Sequence, residues 1–429
     1  MILVVSYPGE EHTDAVCARL AAAGEPVHRL NLADFPARLP LACAWTSQAA
    51  PALRLLGAEP IDLTVVDAVW WRRVQPFEID PGVGPADRRQ FVHSETEQAV
   101  LGMLDSIDAP WINPRLADDA AHRKPLQWTQ AAAVGLTLPP TCVTTAPDEA
   151  RAFCAAHHSA GVVFKPFLAS IADWRETRLV EAEDLARLEL VRLAPVIFQR
   201  RIQGVDLRVT VIGEALFAAE IDARDSSYPV DMRMVIGEAK IRAVDLPPAL
   251  SQRLLALMRR LGLVYGAIDL KQDEHGDYYF LEVNPAGQWQ FVESRAGLPI
   301  TQAHADALRR MASAQRRRRG KKARSTQDHA TPCRPGHLAR RHRQRRRRAH
   351  PHPHRAVARR GAAGHRRAPG GRTCRPGCGP RRRPGQRLPA RLACPRRRTR
   401  PGRAPAGPAG TRGGRQRPPA LHQHRACRR

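Results

Sequence analysis

The chain has 429 residues and a formal charge of +28, from 69 Lys and Arg against 41 Asp and Glu. That length accommodates two or three domains with a large buried core. The charge points to a nucleic-acid binder, but it is unevenly placed. Residues 316–429 hold 38 of the 69 basic residues and one of the 41 acids, Asp328, which leaves 31 basic against 40 acidic residues in 1–315.

Segment 316–429 also lacks Phe, Tyr, Trp, Ile, Met, Asn and Glu. A chain so poor in apolar side chains cannot offset the entropy of ordering, so disorder is expected there. Three origins fit it: a basic arm that binds RNA or DNA phosphates in a salt-dependent way, a solvated linker, or an out-of-frame reading of a GC-rich gene. The absence of Lys after Lys322 favours the last. Cys17, Cys43, Cys142 and Cys154 have no metal-ligand spacing. No run reaches the ~18 apolar residues of a membrane span. The start, MILVVSYPGEEHTD, meets acids by residue 10, unlike a signal peptide. A cytoplasmic protein is expected.

In chain order, MILVVSY reads as a strand and DAVCARLAAAG as a helix ended by Gly24. Strands follow at PVHRLNL and LTVVDAVWWRRV, then a helix over about residues 87–107 and a short strand WIN. This alternation predicts a largely parallel sheet covered by helices. No G-x-G-x-x-G follows the first strand, so a dinucleotide role has no support. Trp70, Trp71, Arg72 and Arg73 end a strand, where they either line a cleft or pack on the next domain.

A helix over residues 122–134 carries Lys124; LPPTCVTT is extended, APDEARAFCAAHH helical, and GVVFKPF a strand containing Lys165. A lysine among apolar neighbours needs an anionic partner or a cleft, unless it sits on an exposed edge. The strands PVIFQRRI, QGVDLRVTVIG and ALFAAEIDAR follow. Asp206 and Arg208 share a face at period two, and Asp231 and Arg233 in VDMRM read the same way; such pairs are commonly structural salt bridges.

After the amphipathic helix LPPALSQRLLALMRRLG comes YGAIDLKQDEHGDYYFLEVNPAGQW, a β-hairpin with a polar centre. Glu282 and Asn284 share a face. A turn centred on His275-Gly276 makes facing residue numbers sum to a constant, which puts Asp269 opposite Glu282. Two carboxylates and an amide oxygen together suit Mg²⁺ shared with nucleotide phosphates. Acids that merely face water fit the same spacing, although the turn Asn284-Pro285-Ala286-Gly287 ends the strand where a ligand would sit. GLPITQAHADALRRMA closes the body as a helix, with His304 read as a surface residue.

The pattern D-x(n)-LEVNP-x-G resembles the metal-binding end of the ATP-grasp ligases. LEVNPAGQW with DLRVTVIGEALFAAEID is similar to their microviridin-type (graspetide) ester and amide ligases and, more distantly, to the ribosomal-protein glutamate ligases. The resemblance covers about residues 1–312. It implies an α/β chain, α+β in its grasp half, with an ATP-grasp fold: a Rossmann-like pre-grasp domain at 1–113, lobes at 114–190 and 191–315, and a disordered basic tail at 316–429. It implies ATP and one or two Mg²⁺, with Mn²⁺ as the alternative ion. Lys124 and Lys165 would reach the phosphates, Gln199 and Arg200 would form the adenine hinge, and Asp206 would hold the ribose. Arg208 and Arg233 would meet phosphate or the reacting carboxylate, and Asp269, Glu282 and Asn284 would hold the metal. Arg200 departs from a position often acidic in relatives. The implied reaction is carboxylate–amine or carboxylate–hydroxyl ligation through an acyl phosphate, on a ribosomally made precursor peptide with a leader segment. Two other readings stay open: an amino-acid ligase of the glutamylating type, and a nucleic-acid-binding protein acting through the tail. A homodimer is compatible with the sequence, and no membrane partner is expected.

Overall fold

Four consecutive residues, Ile2–Val5, are fully buried. A strand apolar on both faces belongs inside a helix-covered parallel sheet. In the computed structural model it lies there, in the order Val27–Leu30, Ile2–Val5, Ala68–Trp71, Trp111–Ile112, all parallel. The structure describes residues 1–167 and 176–328, which lie within one unit. The stretch LTVV is not part of the strand that follows it. Leu63–Val65 is a 3-10 turn whose preceding Asp62 accepts from the Thr64 N–H at 2.9 Å. A small antiparallel sheet, Leu41–Ala44, Ala52–Leu55 and Ile61–Asp62, fills a region the sequence left unassigned.

The grasp half holds two antiparallel sheets. One runs Arg178–Leu179, Val162–Lys165, Val196–Arg200, Thr141–Thr144; the other runs Lys240–Ala243, Ala215–Asp222, Val205–Ile212, Tyr265–Gln272, Tyr278–Asn284. Alternation in VDLRVTVI decides which way the second sheet faces. Val205, Leu207, Val209 and Val211 pack against Leu250, Leu254, Leu257, Met258 and Leu261 of the helix Pro248–Leu261. Burying each such side chain contributes roughly 1.5–3 kcal/mol. Asp206 and Arg208 are thereby turned to the opposite face. Gly262, at φ 69°, ends the helix in the left-handed conformation that glycine adopts without strain. Asp231 and Arg233 do not share a strand face: Asp231 caps the 3-10 turn Met232–Met234 and accepts from the Arg233 N–H at 3.1 Å.

Two expectations at the chain's end are corrected. The closing helix runs Ile300–Asp328, so order does not stop at residue 315. Arg316 reaches Asp67 at 3.3 Å and Glu25 at 3.1 Å, and Arg319 reaches Asp67 at 3.2 Å; folded acids hold the first basic residues. The expected disorder beyond Asp328 lies outside the described residues. His304 is not on the surface. Ile300, His304, Leu308 and Ala312 recur every four residues and are each 0% exposed, so helical periodicity puts the histidine in the packed seam. Burial pushes its pKa down to about 3, which keeps the ring neutral. Trp70 packs there too, with ring centroids 4.3 Å from His304 and 6.5 Å from Trp289, so this strand end packs against the grasp half.

Candidate active site

The hairpin forms from Tyr265–Gln272 and Tyr278–Asn284, with Asp269 facing Glu282 and Ala267 facing Asn284. Towards the turn the constant sum breaks. Leu270 faces Phe280 and Lys271 faces Tyr279, because Leu281 is an extra residue. Without that bulge Glu282 would face Ile268 and point into the core. With it, Phe280 and Val283 both reach the core while Glu282 and Asn284 stay on the cleft side. Trp128 Nε1 donates to the Leu281 carbonyl at 2.9 Å, and Gln127 exchanges two hydrogen bonds with the Val283 backbone at 2.8 and 2.9 Å. The helix Lys124–Ala133 is thus tied to the bulged strand, and its first residue, Lys124, meets the Glu282 carboxylate.

A cleft of about 590 Å³ opens above this face, within the range of small-molecule sites. Nine of the ten predicted site residues line it; the exception is Arg208. Burial pushes Lys124 down to about 8, against the pull of Asp269. Lys165 has a neutral partner: its ammonium donates to Gln199 Oε1 at 3.0 Å, and Gln199 Nε2 donates to Thr141 Oγ1 at 2.8 Å. Burial first, then the charges of Lys124 and Arg233, push Lys165 down to about 7. In both lysines desolvation is the largest cause.

Arg233 forms a forked pair with Asp231, Nε–Oδ1 2.8 Å and Nη2–Oδ2 2.5 Å, and this holds its pKa up against desolvation. Asp206 pairs with Lys271 at 2.9 Å; desolvation pushes the carboxyl up despite that lysine. Arg208 lies behind Asp269, with Nε 2.6 Å from Oδ1 and Nη1 donating to the Gln288 carbonyl at 3.2 Å. Asp269 Oδ1 is buried and makes no hydrogen bond of proper geometry. The Asp269 carboxylate, held from behind by Arg208, the opposed Glu282 and the Asn284 amide fit a hard divalent cation with coordination positions left for ligand oxygens. Among the described residues no group of three or more His, Cys, Asp or Glu forms a metal site, so the amide is needed to complete the set.

Arg200 and Arg201 spend their N–H groups on the Pro140 and Gly161 carbonyls, each at 2.9 Å, and the Arg200 guanidinium lies over the Tyr279 ring at 5.9 Å. Ile202 and Gln203, which follow the strand, line the cleft. Gly204 is required there: a Cβ would stand 1.9 Å from the Gln272 carbonyl.

Several supporting residues escaped the sequence reading. Asn113 donates to the Tyr265 and Pro285 carbonyls at 3.0 and 3.2 Å and accepts from the Val264 and Tyr265 N–H groups at 2.8 and 2.7 Å. Arg72 donates to the Gly287 carbonyl at 3.0 Å, reaches Glu10 at 3.5 Å and lies 4.9 Å over the Trp289 ring. His12 accepts from the Trp289 N–H at 3.2 Å and touches Glu10 at 3.1 Å. Against desolvation, His12 and Arg72 hold Glu10 far below the usual carboxylate range. Their contacts to residues 264–289 span more than 150 residues, so no local pattern announces them. Lys271 was legible, two residues after Asp269 on the same face.

A parallel pre-grasp sheet followed by two antiparallel sheets, with paired lysines facing opposed carboxylates, defines a ligase of the ATP-grasp class. Residues 1–119 match the family model of the MvdD pre-ATP grasp domain. The macrocyclase MdnB from Microcystis aeruginosa MRC is 30% identical over 72% of this chain and 98% of its own, with a TM-score of 0.60. MdnC from the same organism, solved with the precursor peptide MdnA, is 28% identical over 72% and 98%, TM-score 0.64. A RiPP-associated ATP-grasp ligase from Chryseobacterium gregarium, in complex with ADP and a leader and core peptide, is 26% identical over 72% and 96%, TM-score 0.65. No curated protein matches the chain. The chain belongs to the ATP-grasp macrocyclase family that includes MdnB.

Proposed function

We propose that the protein uses ATP and Mg²⁺ to cross-link a ribosomally made precursor peptide, joining Asp or Glu side chains to Lys amines or Ser and Thr hydroxyls of the same chain. The observation that carries this reading is the Asp269–Glu282 pair on the cleft face beside two desolvated lysines. The peptide-bound MdnC and Chryseobacterium gregarium relatives support the substrate class.

A peptide carboxylate oxygen attacks the γ-phosphorus and ADP leaves; an amine or hydroxyl then attacks the acyl carbon, phosphate leaves, and the nucleophile's proton is released. Asp269, Glu282 and Asn284 would hold one or two Mg²⁺, or Mn²⁺, whose charge when bound offsets that of the phosphate oxygens. Lys124 and Lys165 supply fixed positive charge at the phosphates, with Gln199 orienting Lys165. Asp206 accepts the ribose hydroxyls. Arg233 faces the phosphate or the reacting carboxylate. Arg208, paired to Asp269 outside the cleft lining, acts as a positioning residue for that carboxylate. Because the N–H groups of Arg200 and Arg201 serve the sheet, the purine edge is read at Ile202 and Gln203. The lobes divide at about residues 113 and 190.

The test is incubation of the purified protein with ATP, Mg²⁺ and the peptide encoded beside its gene. Each bond formed should release one ADP and lower the peptide mass by one water. ATP left intact in the presence of that peptide contradicts the reading.

A further inference from the structure

The parallel sheet contains a switch point. From Ile2–Val5 the chain crosses to Val27–Leu30 on one side, while Ala68–Trp71 pairs on the other. Open α/β sheets bind ligands outside the carboxyl ends of their strands at such a point. Here those ends carry Ser6-Tyr7 and Arg72-Arg73. The Arg72 N–H donates to the Val5 carbonyl at 3.1 Å and Ser6 Oγ donates to the Arg73 carbonyl at 3.2 Å, so the two segments stay together up to the rim.

The two arginines differ. Arg72 is buried and engaged with Glu10 and the Gly287 carbonyl. Arg73 is half-buried, and its guanidinium makes one long contact, from Nε to the Ala286 carbonyl at 3.4 Å. Among the described residues no carboxylate lies within ion-pair distance of it. Burial and the neighbouring charge of Arg72 lower its pKa, against the pull of the more distant Glu10. Ala286 follows Asn284 by two residues, so this cation opens beside the turn that ends the metal-binding strand, outside the lining of the nucleotide cleft.

Building on the ligase reading, we propose that Arg73 is a specificity-determining residue that receives a side-chain carboxylate of the acidic peptide at the rim of the parallel sheet. Its planar fork can hold both carboxylate oxygens at once, which a lysine cannot. An amide in the same place would leave the guanidinium unpaired.

The test uses the full chain saturated with Mg-ADP and two probes: a short capped peptide of Glu and Thr, and its counterpart with Gln for every Glu. Calorimetry should find the Glu probe bound about tenfold more tightly by the wild type, the scale of a charge-assisted pair. Arg73→Met should bind both probes equally, and Arg73→Lys should retain part of the preference. Both variants should keep the wild-type ADP affinity and melting temperature. A preference for Glu that survives in Arg73→Met, or a wild type that binds the probes alike, overturns the assignment. ADP binding is read separately: its absence contradicts the ligase reading, whereas equal probe affinities with ADP bound contradict the Arg73 site alone.

Discussion

Two sets of buried charges in this molecule are built differently. Glu10, His12 and Arg72 close on one another and on the Gly287 and Trp289 backbone, locking the parallel sheet to the turn after the strand Tyr278–Asn284. Around the cleft the charges are also desolvated, but their pairing is incomplete. Lys165 has a neutral amide for a partner, and Asp269 Oδ1, although 2.6 Å from Arg208 Nε, makes no hydrogen bond of proper geometry. A charge satisfied from within holds the fold together; one left short of a partner is prepared for a ligand.

Removing a member of each set should therefore have opposite signatures. The largest effect is expected from Glu282→Gln, which keeps shape and loses charge: ATP turnover should fall on the order of a thousandfold, with an almost unchanged melting temperature. Turnover comparable with wild type would contradict the metal assignment. Arg72→Met should do the reverse and lower unfolding free energy by about 3–5 kcal/mol, because it strands a buried carboxylate. A denaturation midpoint equal to wild type would remove Arg72 from the cohesive set. Lys165→Met should weaken Mg-ADP binding roughly ten- to a hundredfold, the scale of a lost charged hydrogen bond, while stability holds or rises. A variant that melts early would place Lys165 with Arg72 instead.

The smallest effect is in pH. Lys165 titrates near 7 in the fold against an ordinary value of 10.5. Below pH 7 it is charged in both folded and unfolded states and its desolvation penalty is fully present. Between about 7 and 10.5 the unfolded chain binds the extra proton, so this lysine's contribution to stability rises with pH. Polyphosphate beside it should restore the charge, so Mg-ADP binding near pH 8 should take up a proton. That uptake is measurable as a dependence of binding heat on buffer ionisation enthalpy, and Lys165→Met should lose it.

The fold was legible where one period ran long enough to count. ILVV required a buried parallel strand, VDLRVTVI sorted its own faces, and LLALMRRL matched the helix beneath them. The opposed acids were also readable, although a simple hairpin sum captures Asp269 and Glu282 only because of a bulge it does not contain. Leu281 carries no mark of a bulge; Trp128, from a helix more than 150 residues earlier, satisfies its carbonyl. His304 was misread because one polar letter in a helix looks exposed until the residues four before and four after it are seen to be buried. The Glu10–His12–Arg72 set had no local signal, since tertiary contacts alone bring GEEHTD to the turn at Gly287. Arg208 and Arg233 looked alike in sequence and differ in place, one behind Asp269 and one facing the cleft.

Asp269, Glu282 and Asn284 are proposed to converge on a divalent ion beside a nucleotide. Calorimetric titration of ADP into the full chain, with and without Mg²⁺, tests it most directly. Tight binding that requires Mg²⁺, and that is lost in Asp269→Asn while the variant remains folded, is the expected result. ADP affinity indifferent to Mg²⁺, or retained in Asp269→Asn, would contradict it.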